Sequence, residues 1–403
     1  MRAHTHWIWA LVFLLGLAAA LPAATALAQE EPAAGRDHFL YLPVLGNDIT
    51  RQDSAGGALV TEPVTAAEQA STAAFWTRER MQAATLLDVL VVNADQAPTG
   101  AFRDTQRPGP RGRIAGSLPD LTAQQQARAL YAAEWARIEA DAAASESSAP
   151  LLAPAAAEEA AGIDAYASAP PFVSYYVNDN TATWKSFPWI TMGRLFFQIP
   201  GLTGTYACSG AVAYGRAVWT AGHCVYTTGR GWSYNMYFVP AYRNGAYPYG
   251  SFTVKSRTAL SQWVTSANLA YDMGMVAVND VSGMKLSQWV GSVGLMYNQS
   301  ATQLFHAFGY AGNYSSGQYL VTCVSSTYTR DPLDGPDPIG IGCDMGSGSS
   351  GGPWMVAYAP FKGGATNYIN SVVSYSYANK PLEVYGPYFG AEAKQLYDWA
   401  TTQ

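Results

Sequence analysis

The stretch DMGSGSSGGPW, residues 344–354, reads in two incompatible ways. It is either a flexible glycine-serine connector or a tight backbone cradle that holds one serine, Ser350, rigidly. Pro353 and Trp354 run directly into the apolar WMVAYA, and a linker does not lead straight into a core strand. Gly348, Gly351 and Gly352 flank Ser350, and glycine lets the backbone turn the N–H groups of Gly348 and Ser350 toward one point, as an oxyanion hole requires. This second reading asks the rest of the chain for a base, because a serine becomes a nucleophile only when its proton is taken.

The base is one of five histidines. His4, His6 and His38 lie far upstream, which leaves His223 and His306. His306, in LFHAFGY, alternates with Leu304 and Phe308 on one strand face and reads as a packed histidine. His223 stands in VWTAGHCVY, where an apolar strand ends in a small-residue turn and Cys224 follows at once. Pairing Cys224 with Cys208 of YACSGAV would close a loop of 16 residues and confine His223 to a small range of positions. The orienting group comes from LAYDMGMVAV, where Asp272 precedes a strand of alternating character. An aspartate there accepts the Nδ1 proton of His223, fixes its tautomer and stabilises the imidazolium; its bland alternative is a strand-entry cap. Asp280 sits in a turn, and Asp331, Asp334 and Asp337 crowd DPLDGPDP, which reads as a solvated surface loop, with calcium binding as the alternative.

Charge divides the chain. From Thr181 onward there are 12 Lys and Arg against 9 Asp and Glu, whereas upstream there are 11 against 20. A mildly basic half thus follows an acidic, alanine-rich one, and neither balance fits a nucleic-acid binder. Residues 1–28 carry a basic start, a short apolar run broken by Pro22 and the small-residue exit Ala26-Leu27-Ala28, the pattern of a secretory signal peptide cut after Ala28. No other segment is long and apolar enough to cross a bilayer. The four cysteines, Cys208, Cys224, Cys323 and Cys343, suit an oxidising compartment, and two disulfides have three possible connectivities. No C-x-x-C pair or H-E-x-x-H occurs, so no structural zinc and no cofactor are expected.

Residues 29–169 are rich in Ala, Gln and Glu, with two helix-like segments, 65–92 and 121–143, a Pro/Gly loop between them and a linker at about 145–162. From about Ser174 the texture changes to short β-branched and aromatic runs separated by Gly, Asn and Pro, which argues for antiparallel barrels or sandwiches. AEAKQLYDWATT closes the chain as an amphipathic helix.

At this point the sequence resembles the chymotrypsin-like serine peptidases, whose catalytic groups follow the chain order His, Asp, Ser. The resemblance rests on CSG at Cys208, TAGHC at His223, YDMGMV at Asp272, GSSGGP at Ser350 and SVVSYSY around Ser374, and covers roughly residues 174–403. It is nearest to the bacterial secreted branch of glutamyl endopeptidases and their trypsin-like relatives. The resemblance implies an all-β fold of two antiparallel Greek-key barrels with a C-terminal helix, behind a partly helical pro-region. It implies a secreted endopeptidase with the triad His223, Asp272 and Ser350, an oxyanion hole at Gly348 and Ser350, and disulfides Cys208–Cys224 and Cys323–Cys343. The expected organisation is a signal peptide (1–28), a pro-segment and linker (29–169) and a peptidase domain (170–403), monomeric, acting on protein or peptide substrates without nucleic acid or membrane.

Two departures from the pattern bear on specificity and activation. The animal digestive enzymes place an aspartate before the nucleophile to pair with the new N-terminus, but here Ser349 stands there, so that switch is not expected. Glutamyl-specific members carry a histidine before the serine matching Ser374, but here that residue is Val373. Asp344, six residues before Ser350, matches the pocket floor of trypsin-like members, so cleavage after basic residues is expected, with Ser374 as a second substrate-binding residue; cleavage after glutamate is the alternative. Readings from other classes are an inactive, peptidase-shaped binding module, which an intact triad argues against, and an esterase. The esterase would need G-x-S-x-G between a strand and a helix, whereas GSSGGPW runs into a strand.

Overall fold

The computed structural model describes residues 58–93, 109–145, 169–177, 183–333 and 335–403. The proposed signal peptide and its cleavage site, most of the 145–162 linker and Asp334 lie outside the described residues.

Two β bodies form the bulk of the chain, as expected. Strands Met192–Gln198, Tyr206–Tyr214 and Ala217–Thr220 form a meander; Gly274–Val278, Phe252–Leu260 and Tyr234–Pro240 complete the circuit back to Met192–Gln198. The result is a closed six-stranded barrel, which leaves no free edge within the ring. Its interior is apolar: Leu195, Val212, Val218, Phe238 and Val276 share one face and have no solvent exposure. The second body is an antiparallel sheet built on Leu304–Gly309, Val321–Arg330, Ile339–Gly342, Pro353–Val356, Tyr368–Val372 and Lys380–Gly386. The helix Ala391–Thr401 buries Ala393, Leu396, Tyr397 and Ala400 on one face, the i, i+3, i+4, i+7 spacing of an amphipathic helix.

The N-terminal half departs from expectation. Segment 65–92 is helical only over Ala66–Phe75 and Arg78–Ala83; the β-branched run that follows is extended. Segment 121–143 breaks at Tyr131 into Leu121–Leu130 and a second helix beginning at Ala132. Four short strands of this half join the sheets of the other half. Leu59–Pro63 pairs with Phe252–Leu260, Thr85–Leu86 with Tyr206 and Ala207, Leu90–Val92 with Tyr375–Tyr377, and Gly112–Ile114 with Gly294–Tyr297. The helices dock through aromatics: Trp76 donates its Nε1–H to the Asn235 carbonyl at 2.6 Å, and Trp135 stacks on Trp184 with ring centroids 5.9 Å apart.

Of the two expected disulfides, Cys208–Cys224 is present, with Cα atoms 6.3 Å apart. Cys323–Cys343 is not: both are buried free thiols. The two thiols nevertheless lie side by side: their Sγ atoms and an Asp344 oxygen all lie within 4.8 Å of one another, and Cys323 Sγ is 3.3 Å from the Gly342 carbonyl. The reading of DPLDGPDP as a solvated loop holds for Pro332 and Gly335, which are exposed, but not for its first residue. Asp331 is 1% exposed and accepts hydrogen bonds from Tyr375 Oη at 2.6 Å and from Tyr377 Oη, while burial raises its pKa above the usual carboxylate range.

Peptide mapping without reductant should therefore yield one bridged pair, Cys208–Cys224, and thiol titration should detect Cys323 and Cys343 only after unfolding. A bridged Cys323–Cys343 peptide would contradict this. Reducing the 16-residue bridge should cost about 3 kcal/mol of stability in a denaturant titration.

Candidate active site

Hydrogen bonds around His223, Asp272 and Ser350 join the barrel to the sheet. His223 sits on the one-turn helix Gly222–Val225, directly after barrel strand Ala217–Thr220, and the Cys208–Cys224 bridge ties that turn to the neighbouring strand. Asp272 follows the 3-10 turn Leu269–Tyr271, just before barrel strand Gly274–Val278. Its carboxylate has no solvent exposure. Oδ1 accepts the backbone N–H of His223 at 2.7 Å, and Oδ2 stands 2.7 Å from His223 Nδ1 and accepts Ser374 Oγ–H at 2.5 Å. An aspartate so engaged favours the tautomer with the proton on Nδ1 and leaves Nε2 as the basic atom.

Ser350 comes from the other body, in the turn that enters Pro353–Val356. Two glycines of the turn lie in the left-handed region, packed against the barrel. Gly348 and Gly351 have φ of +86° and +79°, and a Cβ on Gly351 would lie 2.2 Å from Thr220 Oγ1. Ser209 of the barrel clamps the turn: its N–H donates to the Ser350 carbonyl at 2.8 Å and its hydroxyl to the Gly348 carbonyl at 2.8 Å. Ser349 is fully buried and its Oγ donates to the Gly346 carbonyl at 2.6 Å. His306 is half-buried, with its ring 4.3 Å from that of Tyr358 and its pKa lowered by burial. Asp280 forms an ion pair with Arg216 at 2.6 Å.

Asp344, half-buried beyond this turn, accepts Ser174 Oγ at 2.6 Å and Tyr314 Oη at 2.5 Å. Val373 is fully buried in the apolar cluster that also holds Cys343 and Met345. Two groups of three His, Cys, Asp or Glu ligand atoms within 4.8 Å occur among the described residues: Cys208, His223, Cys224 and Cys323, Cys343, Asp344. The disulfide consumes the first group, and in the second the carboxylate is already held by two hydroxyls.

Two things at the site were not foreseen. Ser374 engages Asp272 through its hydroxyl, where only a substrate contact was expected. The second is that residues 87 and 88 lie against the serine turn: Gly348 N–H donates to the Leu87 carbonyl at 2.7 Å, and Ser350 Oγ is 3.5 Å from the Asp88 carbonyl. His223 Nε2 is buried and finds no partner among the described residues. The one sequence signal for this contact is the β-branched VLVV, which ends a segment that otherwise reads as helix.

No protein-family model matches the sequence. Among curated proteins, the chain is 32% identical over 98 residues to an extracellular metalloprotease of Bacillus subtilis (strain 168), which takes in 24% of this chain and 31% of that protein. The chain thus spans about a third of the length of this curated relative. Among solved structures it is 35% identical to the protease Anisep of Arthrobacter nicotinovorans, covering 53% of this chain and 96% of that one, with a TM-score of 0.48. The thermostable serine protease AL20 from an extremophilic microorganism is 30% identical, over 53% of this chain and 98% of its own, also with a TM-score of 0.48. Sequence identity at this level, across nearly the whole of both solved proteases, falls on a chain with the expected β architecture: the chain belongs to the chymotrypsin-like serine proteases.

Proposed function

We propose that the chain is a secreted serine endopeptidase that cuts peptide bonds through His223, Asp272 and Ser350. The observation that carries this reading is the buried line from Ser374 through Asp272 to the His223 ring, set beside a serine on a glycine turn. Ser350 Oγ attacks the substrate carbonyl carbon while His223 Nε2 takes its proton. Asp272 keeps the imidazole in register and stabilises the imidazolium that forms. The N–H groups of Gly348 and Ser350 receive the oxyanion. His223 then passes the proton to the leaving amine, and a water repeats the sequence to release the acyl group from Ser350.

Residues 1–28 are the signal peptide, 29–169 the pro-segment with its linker and 170–403 the peptidase domain. The disulfide and the extracellular relative support an address outside the cell. Among the described residues no helix is long and apolar enough to cross a membrane. Asp344 directs cleavage after lysine or arginine. Its carboxylate keeps lone pairs beyond those used by Ser174 and Tyr314, and a basic substrate side chain would pair with it, while Val373 offers glutamate nothing polar. The substrates are proteins or peptides, and the enzyme acts as a monomer without a cofactor.

Ser350→Ala and His223→Ala should each lower kcat on a peptide substrate by roughly 10⁴- to 10⁶-fold, since the triad acts as a unit, and Ser350→Ala should lose fluorophosphonate labelling. Casein hydrolysis by Ser350→Ala above background would refute the assignment. Peptide-library profiling should find cleavage after Lys and Arg, reduced by about 10²-fold or more in Asp344→Ser; dominant cleavage after Glu, indifferent to that substitution, would overturn the pocket assignment. N-terminal sequencing of the active secreted form should give a start between about Gly162 and Phe172, because strand Phe172–Tyr176 is paired within the sheet that carries Ser350. A start at Gln29 would make the N-terminal half a permanent domain.

A further inference from the structure

Residues 85–92 lie across the cleft between the barrel and the sheet. Thr85 and Leu86 run parallel to Tyr206 and Ala207 of the barrel, and the Leu87 N–H donates to the Ala207 carbonyl at 2.9 Å. Leu90–Val92 then runs parallel to Tyr375–Tyr377, and the Leu90 N–H donates to the Ser374 carbonyl at 3.3 Å. Between these anchors the Asp88 carboxylate accepts Ser347 Oγ–H. Leu86 sits against Gly348, where a Cβ would come 2.9 Å from its Cδ2. Val89 is buried in the apolar cluster that holds Cys343, Met345 and Val373.

We propose that this segment is a built-in inhibitor that blocks the active site because it is laid in the opposite direction to a substrate; the inference rests on the protease reading of the site. The chemistry sets the direction of a substrate. Its acyl half stays bonded to Ser350 with the side chain directed toward Asp344, and so lies along Ser374 and Tyr375. Its amine half must leave past His223, which protonates it, and so lies on the barrel side. A substrate therefore has its N-terminal half along Ser374 and its C-terminal half beside Ala207. In residues 85–92 the two halves are exchanged.

Reversal makes the segment a poor substrate for two reasons. The carbonyl that takes the Gly348 N–H belongs to Leu87, whereas Ser350 Oγ stands 3.5 Å from the carbonyl oxygen of Asp88, so the two groups that act together on one substrate carbonyl are engaged with two different ones. Attack on either would free its amine on the Ser374 side, where His223 Nε2 cannot deliver a proton. The segment also turns Ser350 Oγ toward the Asp88 carbonyl and leaves Nε2 without a partner among the described residues. Trp76 and the ion pair Arg78–Glu134, at 2.5 Å, fasten the helices on its N-terminal side.

The test compares fluorophosphonate labelling of Ser350 in the full chain and in two full-chain variants. Leu90→Pro deletes the N–H given to Ser374, and Val89→Asp places a carboxylate in the apolar cluster; neither residue belongs to the catalytic machinery. Each variant should label at least ten-fold faster than the parent, a gain that misfolding does not produce. A synthetic peptide of residues 85–92, added to whichever variant is activated, should slow labelling again and remain uncut by mass spectrometry while casein is digested. Equal labelling of parent and both variants, or cleavage of the peptide at the 87–88 or 88–89 bond, would overturn the inhibitor while leaving the protease intact. Absence of labelling in every form, and in protein cut between residues 146 and 168, would sink the protease reading and the inhibitor with it.

Discussion

A carboxylate with no access to water has to be met by donors on every side, or the charge costs more than the fold can sustain. Asp272 is such a group, and its donors come from both β bodies. The His223 backbone and ring belong to the closed barrel, whereas the Ser374 hydroxyl belongs to the strands of the second sheet. Satisfying this one side chain therefore sets how barrel and sheet meet. Ser209 repeats the arrangement with neutral groups: it is a barrel residue whose N–H and hydroxyl hold the Ser350 turn and whose oxygen receives the Tyr310 N–H at 2.9 Å. The candidate site is thus also part of the joint.

This coupling explains which parts were legible in the sequence. Residues that must be positioned within a few tenths of an ångström leave local signatures. The glycines around Ser350 are needed because a Cβ on Gly351 has no room, and the small residues before His223 end a strand in a single tight turn. The barrel strands were readable because each alternates or runs apolar for a few residues between turn formers. Pairing register leaves no such trace. Nothing near Cys323 announces that strand Phe172–Tyr176, some 150 residues upstream, pairs beside it. The burial of Asp331 was hidden likewise, because its partners Tyr375 and Tyr377 are distant in sequence, and a Pro- and Asp-rich stretch looks solvated until they are placed.

The N-terminal half shows the same limit from the other side. Thr65 and Thr77 cap short helices as the local pattern suggests, each accepting a backbone N–H three residues on. The run after Ala84 has no alternation to mark it as a strand. Its conformation is set by the two strand edges it pairs with, at Tyr206 and Tyr375. A tertiary context overrode a weak local preference there.

Because the cleft is bordered by strand edges, what it accepts is decided first by backbone state and only afterwards by side chains. The carbonyls of Ala207 and Ser374 accept the N–H groups of a neighbour only if it is extended and its own amides are unpaired. A polypeptide in a helix or hairpin has already committed those amides, and must open locally before it can be seated. On the proposed function, how fast a folded target would be cut follows how often a stretch of that target opens, and two targets with the same cleavage-site residues part company on their dynamics alone.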